Sequence, residues 1–233
     1  MNIIITGTSR GLGKYLSEYY LKKGNVVIGC SRSEINIDHE NYFHTKLDLG
    51  SENQVRSWIN VTKKKFKKID ILICNAAIVG SSLFLSLTPG NVMDSFLKSN
   101  IAGVFYVLRE VSKQMILQQS GRIIAISSIT TATNQEGTSI YTATKYAVNG
   151  MIKILAKEIA KNNITCNIVA PGMMDTEATQ VLSKNKKWKK EMLDKQTIPK
   201  IIDKVEVAHT IDFLINNLSQ NITGQIIHLG LVN

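Results

Sequence analysis

Short apolar runs rich in isoleucine and valine alternate along the chain with stretches whose apolar residues return every three or four positions. Runs of the first kind fit strands buried on both faces, and the second spacing fits one face of a helix. Their alternation from end to end predicts a mostly parallel sheet with helices on both sides, a doubly wound α/β fold. Strands are expected at residues 2–6, 25–30, 43–47, 69–74, 122–127, 165–169 and 225–229, and helices at 13–23, 51–66, 142–161 and 205–218. After Pro89-Gly90, residues 92–118 read as one long helix or a broken one. Residues 33–42 leave little chain for a crossover, which takes at least about 10–12 residues. The helix between the second and third strands is therefore expected to be short or absent. Residues 173–204 are polar and irregular in pattern.

The 233 residues suit one large domain, and 44% apolar with 20% charged residues gives enough core to exclude a disordered chain. The longest apolar run, near residues 71–79, is interrupted by Asn75 and falls short of the about 18 residues a membrane-spanning helix needs. The first residues carry no basic segment and no small-residue cleavage site, which reads as a cytoplasmic protein. Cys30, Cys74 and Cys166 lie far apart, without C-x-x-C or paired histidines. They suggest reduced, buried thiols, with neither a disulfide framework nor a zinc site.

The net charge of +10 sits almost wholly in two segments. Residues 61–70 hold five lysines against one aspartate, and residues 184–204 hold eight lysines against three acids. Neither is interleaved with regularly spaced aromatic residues, so binding to nucleic acid is not the favoured reading.

The chemistry begins at the end of the first strand, where Thr6-Gly7-Thr8-Ser9-Arg10-Gly11-Leu12-Gly13 leads straight into a helix. Glycines permit a tight turn and let backbone approach a pyrophosphate, whose charge is received by free N–H groups at the helix N-terminus. A glycine-rich turn alone is weak, and the strand before it and the helix after it strengthen the nucleotide-site reading. Tyr141 and Lys145 stand four residues apart, hence on one helix face. An ammonium beside a phenol favours the phenolate and lowers a pKa that is otherwise about 10. By itself the pair fits an exposed helix surface as well. Ser127-Ser128, ending a buried strand, supplies a hydroxyl beyond the strand ends.

Taken together, T-G-x-x-x-G-x-G, Ser128, Y-x-x-x-K, Asn75-Ala76-Ala77, Pro171-Gly172 with Thr176, and Thr223-Gly224-Gln225 resemble the short-chain dehydrogenase/reductase superfamily over nearly the whole chain. The pattern is closest to its compact, one-domain branch and to 3-oxoacyl thioester reductases. The resemblance implies a Rossmann-like domain over residues 1–233 with a substrate lid at about 173–204. It implies a catalytic set of Ser128, Tyr141, Lys145 and Asn100, the last holding a water for proton relay; otherwise Asn100 is an ordinary helix asparagine. Ser127 becomes the structural neighbour of Ser128. Ala77 departs from the family, which has glycine there.

The same resemblance assigns the cofactor to Gly7, Ser9, Arg10, Gly11, Leu12 and Gly13, to Ser31 and Arg32, to Asp48 and Leu49, to Asn75 and Ala76, to Tyr141 and Lys145, and to Pro171, Gly172 and Thr176. Asp48 would cap the adenine pocket, or else merely cap the next helix. An acid at the end of the second strand would select NAD, and the chain has Ser31-Arg32 there, with Arg10 in the glycine turn. Guanidinium groups suit a 2′-phosphate, so NADP(H) is expected, unless both arginines are simply exposed.

The reaction so implied is reduction of a carbonyl by NADPH, with no metal. The substrate is a small carbonyl or alcohol compound, a 3-oxoacyl thioester, sugar or ketone. An extended-branch epimerase would need a substrate domain for which there is no room. A catalytically silent NADP-binding regulator or a basic RNA-associated protein are alternatives of another class, and the intact catalytic set argues against both. The resemblance implies a homo-oligomer, tetramer or dimer, joined through the helices that hold Asn100 and Lys145, and apolar residues 147, 148, 151, 152, 155, 156 and 159 form a stripe broader than one core face requires. The lysine run Lys184 to Lys190, with Trp188 in it, is either a solvated helix or a lid that steers an anionic or carrier-linked substrate.

Overall fold

The computed structural model describes residues 1–35, 37–80, 83–177 and 186–232. Seven strands among them form one wholly parallel sheet: β1 (Asn2–Thr6), β2 (Val26–Ser31), β3 (Tyr42–Lys46), β4 (Ile71–Cys74), β5 (Gly121–Ile126), β6 (Ile164–Pro171) and β7 (Ile226–Leu229). Their order in the sheet is β3-β2-β1-β4-β5-β6-β7. The helices are α1 (Gly11–Lys22), α2 (Glu52–Phe66), α3 (Gly90–Phe96), α4 (Gly103–Gln118), α5 (Thr130–Thr133), α6 (Ser139–Ile159), α7 (Lys186–Asp194) and α8 (Lys204–Ile215).

Because successive strand residues point to opposite faces, the two cores can be read directly from the strand sequences. Ile4, Leu72, Cys74, Ile123, Ala125, Cys166 and Ile168 face α2, α4 and α6. Ile3, Ile5, Ile71, Ile73, Ile124 and Ile126 face α1 and α8. Strands β1, β4 and β5 are therefore apolar on both sides, which is why these runs show no alternation, whereas β6 carries buried Thr165 and Asn167 on the face opposite Cys166 and Ile168. All three cysteines are free and buried, as expected.

No helix lies between β2 and β3 among the described residues. The helix expected at 92–118 is broken: α3 passes through a π-helical turn, Leu97–Ala102, into α4. The breadth of the α6 stripe has an internal explanation. Val148, Ile152, Ala156 and Ile159 are buried, and Met151 and Leu155 pack against the same core. The short helix α5 was not expected, α7 forms within the stretch read as irregular, and other differences are at boundaries: α1 begins at Gly11, α6 begins at Ser139 so that Tyr141 lies inside it, and α8 ends at Ile215. Among the described residues, no helix is long and apolar enough to cross a membrane.

Candidate active site

In this strand order the chain direction of winding reverses between β1 and β4, and ligands of such sheets bind beyond the strand ends at that point. A cleft of about 610 Å³ opens there. It brings together Gly7, Ser9, Arg10, Gly11 and Leu12 after β1, Ser31 at the end of β2 with Arg32 beyond it, Asp48 and Leu49 after β3, Asn75 and Ala76 after β4, and Tyr141, Lys145 and Thr176. Gly13, Asn100, Ser128, Pro171 and Gly172 are not among the residues that line it.

The floor of the turn depends on close backbone approach. Gly7 has φ +76, in the left-handed region that favours glycine. A Cβ on Gly13 would lie 2.1 Å from the Gly7 carbonyl oxygen and 2.5 Å from Asn75 Nδ2. Asn75 Nδ2 donates to the carbonyls of Thr6 and Gly7 at 3.0 and 3.3 Å. Thr6 Oγ1 in turn accepts from the amides of Asn75 and Ala76, both at 3.0 Å. Thr6 was legible only as the residue before the glycine turn, and it proves to be the bolt between β1 and β4. Ala77 replaces the usual glycine without strain, since its φ is not positive.

Tyr141 and Lys145 share one face of α6, with the ammonium 5.6 Å from the ring centroid. Lys145 is 5% exposed, and its Nζ donates to the Ile126 carbonyl at 2.8 Å. Burial pushes this amine down to about 8. Burial also pushes the Tyr141 hydroxyl up to about 12, against the lowering effect of a hydrogen bond from Ser128. The net shift of Tyr141 is thus upward and not the lowering expected from its spacing to Lys145: desolvation of the phenolate outweighs the Ser128 hydrogen bond, and Lys145 takes no part. Ser128 Oγ also accepts from the Thr130 amide at 3.2 Å, which fixes the hydroxyl at the end of β5. Ser127 Oγ is buried on the cleft wall and has no partner among the described residues.

Asn100 sits in the π-helical turn and is 2% exposed. Its Oδ1 accepts from the Ile78 amide at 2.7 Å, and its Nδ2 donates to the Ile78 carbonyl at 2.9 Å and to Thr144 Oγ1 at 3.2 Å. The side chain is therefore committed to holding the segment after β4 against α6.

Asp48 is less free than the adenine-pocket expectation required. Its Oδ2 pairs with Lys98 Nζ at 3.0 Å and its Oδ1 accepts from the Gly50 amide at 3.0 Å. Burial raises its pKa, but Lys98, the Gly50 amide and the charge of Arg32 outweigh this and hold the carboxyl below its ordinary range. Beyond β6, Gln196 is 4% exposed; its Oε1 accepts from the Met173 amide at 2.6 Å and its Nε2 donates to the carbonyls of Ile198 and Lys200. A Cβ on Gly172 would come within 2.2 Å of Gln196 Oε1. Within the irregular 173–204 stretch, this glutamine ties Met173 to Ile198 and Lys200, which polarity alone did not reveal. Lys184 and Asn185 lie outside the described residues, as does the Trp188 side chain. No group of three or more His, Cys, Asp or Glu suited to a metal occurs among the described residues.

The sequence model of the short chain dehydrogenase family matches residues 1–187. This chain belongs to that family. It is 33% identical over 232 residues to the 3-oxoacyl-[acyl-carrier-protein] reductase FabG of Buchnera aphidicola, covering 97% of this chain and 94% of the relative. The FabG reductase of Staphylococcus epidermidis is 30% identical, covering 97% and 96%. Among solved structures, ElxO with NADP bound superposes with TM-score 0.90 at 31% identity, covering 97% of this chain and 96% of that one. The ligand-free aldohexose dehydrogenase of Thermoplasma acidophilum gives TM-score 0.90 at 25% identity, covering 99% and 93%. The chain is accordingly an oxidoreductase of the family acting between CH–OH and C=O.

Proposed function

We propose that this family member is an NADPH-dependent carbonyl reductase. The pairing of Tyr141 with buried Lys145 on the wall of a cleft at the reversal of winding, with Ser128 acting on the Tyr141 hydroxyl, carries the reading. The cleft fits the cofactor on its own terms: the glycine turn admits a pyrophosphate at the start of α1, Arg10 and Arg32 supply charge at its outer arm, and the unpartnered Ser127 hydroxyl awaits a polar group. When bound, the nicotinamide supplies the hydride.

The chain's own residues then handle charge and protons. Ser128 donates to the substrate oxygen as negative charge develops there. Tyr141, which keeps its proton throughout the neutral range, gives it to that oxygen. Lys145 holds the ribose hydroxyls beside Tyr141, and Asn100 keeps the segment at Ile78 in place. Pro171, Gly172 and Thr176 border the nicotinamide end, and the 173–204 segment closes over the substrate. The three buried thiols suit a reducing compartment, the cytoplasm. Exposed Phe105 on α4 and Tyr146 and Ile154 on α6 support self-association through those helices, as a dimer or tetramer.

The test is consumption of NADPH, followed by its absorbance, with a panel of 3-oxoacyl thioesters, sugars and ketones. Tyr141→Phe should lose nearly all turnover while retaining NADPH affinity, and comparable turnover by the variant overturns the assignment. A light-scattering mass near the 25.9 kDa of one chain would remove the oligomer.

A further inference from the structure

The arm of the cleft beyond β2 contains an acid that the strand-end reading did not anticipate. Glu34 lines it together with Ser31, Arg32 and Arg10. Behind that wall lies His44 of β3, whose side chain is 7% exposed. His44 Nε2 is 2.9 Å from Ser31 Oγ, and Ser31 Oγ donates to the Ser33 carbonyl at 2.7 Å. A serine hydroxyl has one proton, and here it goes to Ser33, so Nε2 carries the hydrogen of the His44–Ser31 bond. The other ring nitrogen, Nδ1, faces Glu34 Oε2 at 3.9 Å.

We propose that His44 and Glu34 together set how strongly this arm prefers a phosphorylated ribose to an unphosphorylated one. The proposal rests on the NADP reading and adds two specificity-determining residues to it. With His44 neutral, Nδ1 presents a lone pair to the Glu34 carboxylate. That carboxylate is then free to offset Arg32 and Arg10 and to repel a 2′-phosphate. With His44 protonated, Nδ1–H faces the carboxylate, holds it toward β3, and adds positive charge behind Ser31. The arm then favours the phosphate more.

The groups around the ring are few. Glu34 is the charged group acting on it, and the Tyr42 ring stacks at 6.2 Å with its own hydroxyl donating to Thr8. Arg32, Arg10 and the Asp48–Lys98 pair belong to the surrounding cleft. Burial lowers the ring's pKa and Glu34 pulls it back up, so the switch falls on the acid side of the ordinary histidine range.

Dissociation constants for NADPH and NADH, measured by nucleotide fluorescence at about pH 5.5 and about pH 8, test this. The 2′-phosphate itself titrates near about pH 6, an effect common to all variants and removed by comparing them with wild type. Glu34→Gln, a change at an exposed side chain, should raise the NADH-to-NADPH ratio of constants by about threefold or more near pH 8, less so in high salt. His44→Asn should match wild type near pH 8 within about twofold and fall about threefold below it near pH 5.5. If the Glu34 variant leaves the ratio unchanged, or the His44 variant differs equally at both pH values, the proposal is wrong. Should His44→Asn not fold, the Glu34 arm decides alone. Tighter binding of NADH than NADPH by wild type at both pH values would instead refute the NADP reading, a result independent of the variant differences.

Discussion

Asn100 and Ile78 form a closed pair of hydrogen bonds, side-chain amide to backbone amide in both directions, at 2.7 and 2.9 Å. One buried residue of the π-helical turn thereby replaces a sheet ladder for the segment leaving β4. This gives the break in the long helix a physical purpose, since π-bulges occur mostly at functional sites and re-aim a residue inward.

Asn100→Ala should therefore reduce stability as well as turnover. It strips partners from the part-buried amide and carbonyl of Ile78, at a cost of about 1–3 kcal/mol in all. Urea unfolding should show a lower midpoint with an unchanged slope. A variant as stable as wild type would mean that Ile78 is held by something else.

Much of this architecture was legible because the strands are short, doubly buried and separated by helical periods. Ile3-Ile4-Ile5 could only be a central strand, and the residues beyond each strand end, Gly7, Ser31, Asn75 and Ser128, follow from parallel winding. A break in the helix at 92–118 was legible as an alternative, but its π-helical form was not, because it adds no glycine-proline signal to the sequence of Leu97 to Ala102. Glu34 with His44, and Gln196 with Gly172, were hidden for another reason. Each pair meets through tertiary folding across positions with no fixed spacing. The strength of burial at Tyr141 and Lys145 was likewise beyond a spacing argument, which brings the two groups together but is silent on the solvent around them.

Lys145 makes a pH prediction whose sign follows from its lowered pKa. In the unfolded chain the amine holds its proton up to about the usual 10.5, whereas in the folded protein it loses it near about 8. Between those values the unfolded chain binds more protons, so this residue's contribution to stability grows as pH rises from about 8 to 10.5 and is lost as pH falls through 8. Lys145→Met lacks that contribution. The stability of wild type relative to the variant should rise by about 2 kcal/mol between about pH 7 and pH 10. Comparing the two cancels the opposing effect of the Cys30 and Cys166 thiols, whose pKa values are raised without any part played by Lys145. Parallel curves in denaturant titrations across this range would show that Lys145 is not desolvated as found.

Arg10 and Arg32 are exposed on the same arm of the cleft and offer forked donors to a 2′-phosphate. Arg32→Asp, alone or with Arg10→Ser, should shift the ratio of kcat/KM values for NADPH and NADH toward NADH by at least about tenfold, or about 1.4 kcal/mol. A smaller shift would leave cofactor choice to other groups.

The last prediction concerns α7, which begins in the lysine run. Lys186, Lys189 and Lys190 line an open depression with Leu193, Asp194 and Pro199. At its other end, Gln135 Nε2 donates to Met192 Sδ at 2.9 Å, joining α7 to the turn that precedes α6 and Tyr141. The helix thus connects a basic surface to the segment that positions the proton donor. Like charges clustered there repel one another, and an anionic substrate would relieve that repulsion on approach. Replacing Lys186, Lys187, Lys189 and Lys190 by Gln should raise KM for an anionic or carrier-linked substrate several-fold and flatten its dependence on salt. KM for a neutral ketone should stay within about twofold, because uniform binding of charge, not the chemical step, has been removed. Equal effects on charged and neutral substrates, or none on either, would reduce these lysines to the solvated face of a helix.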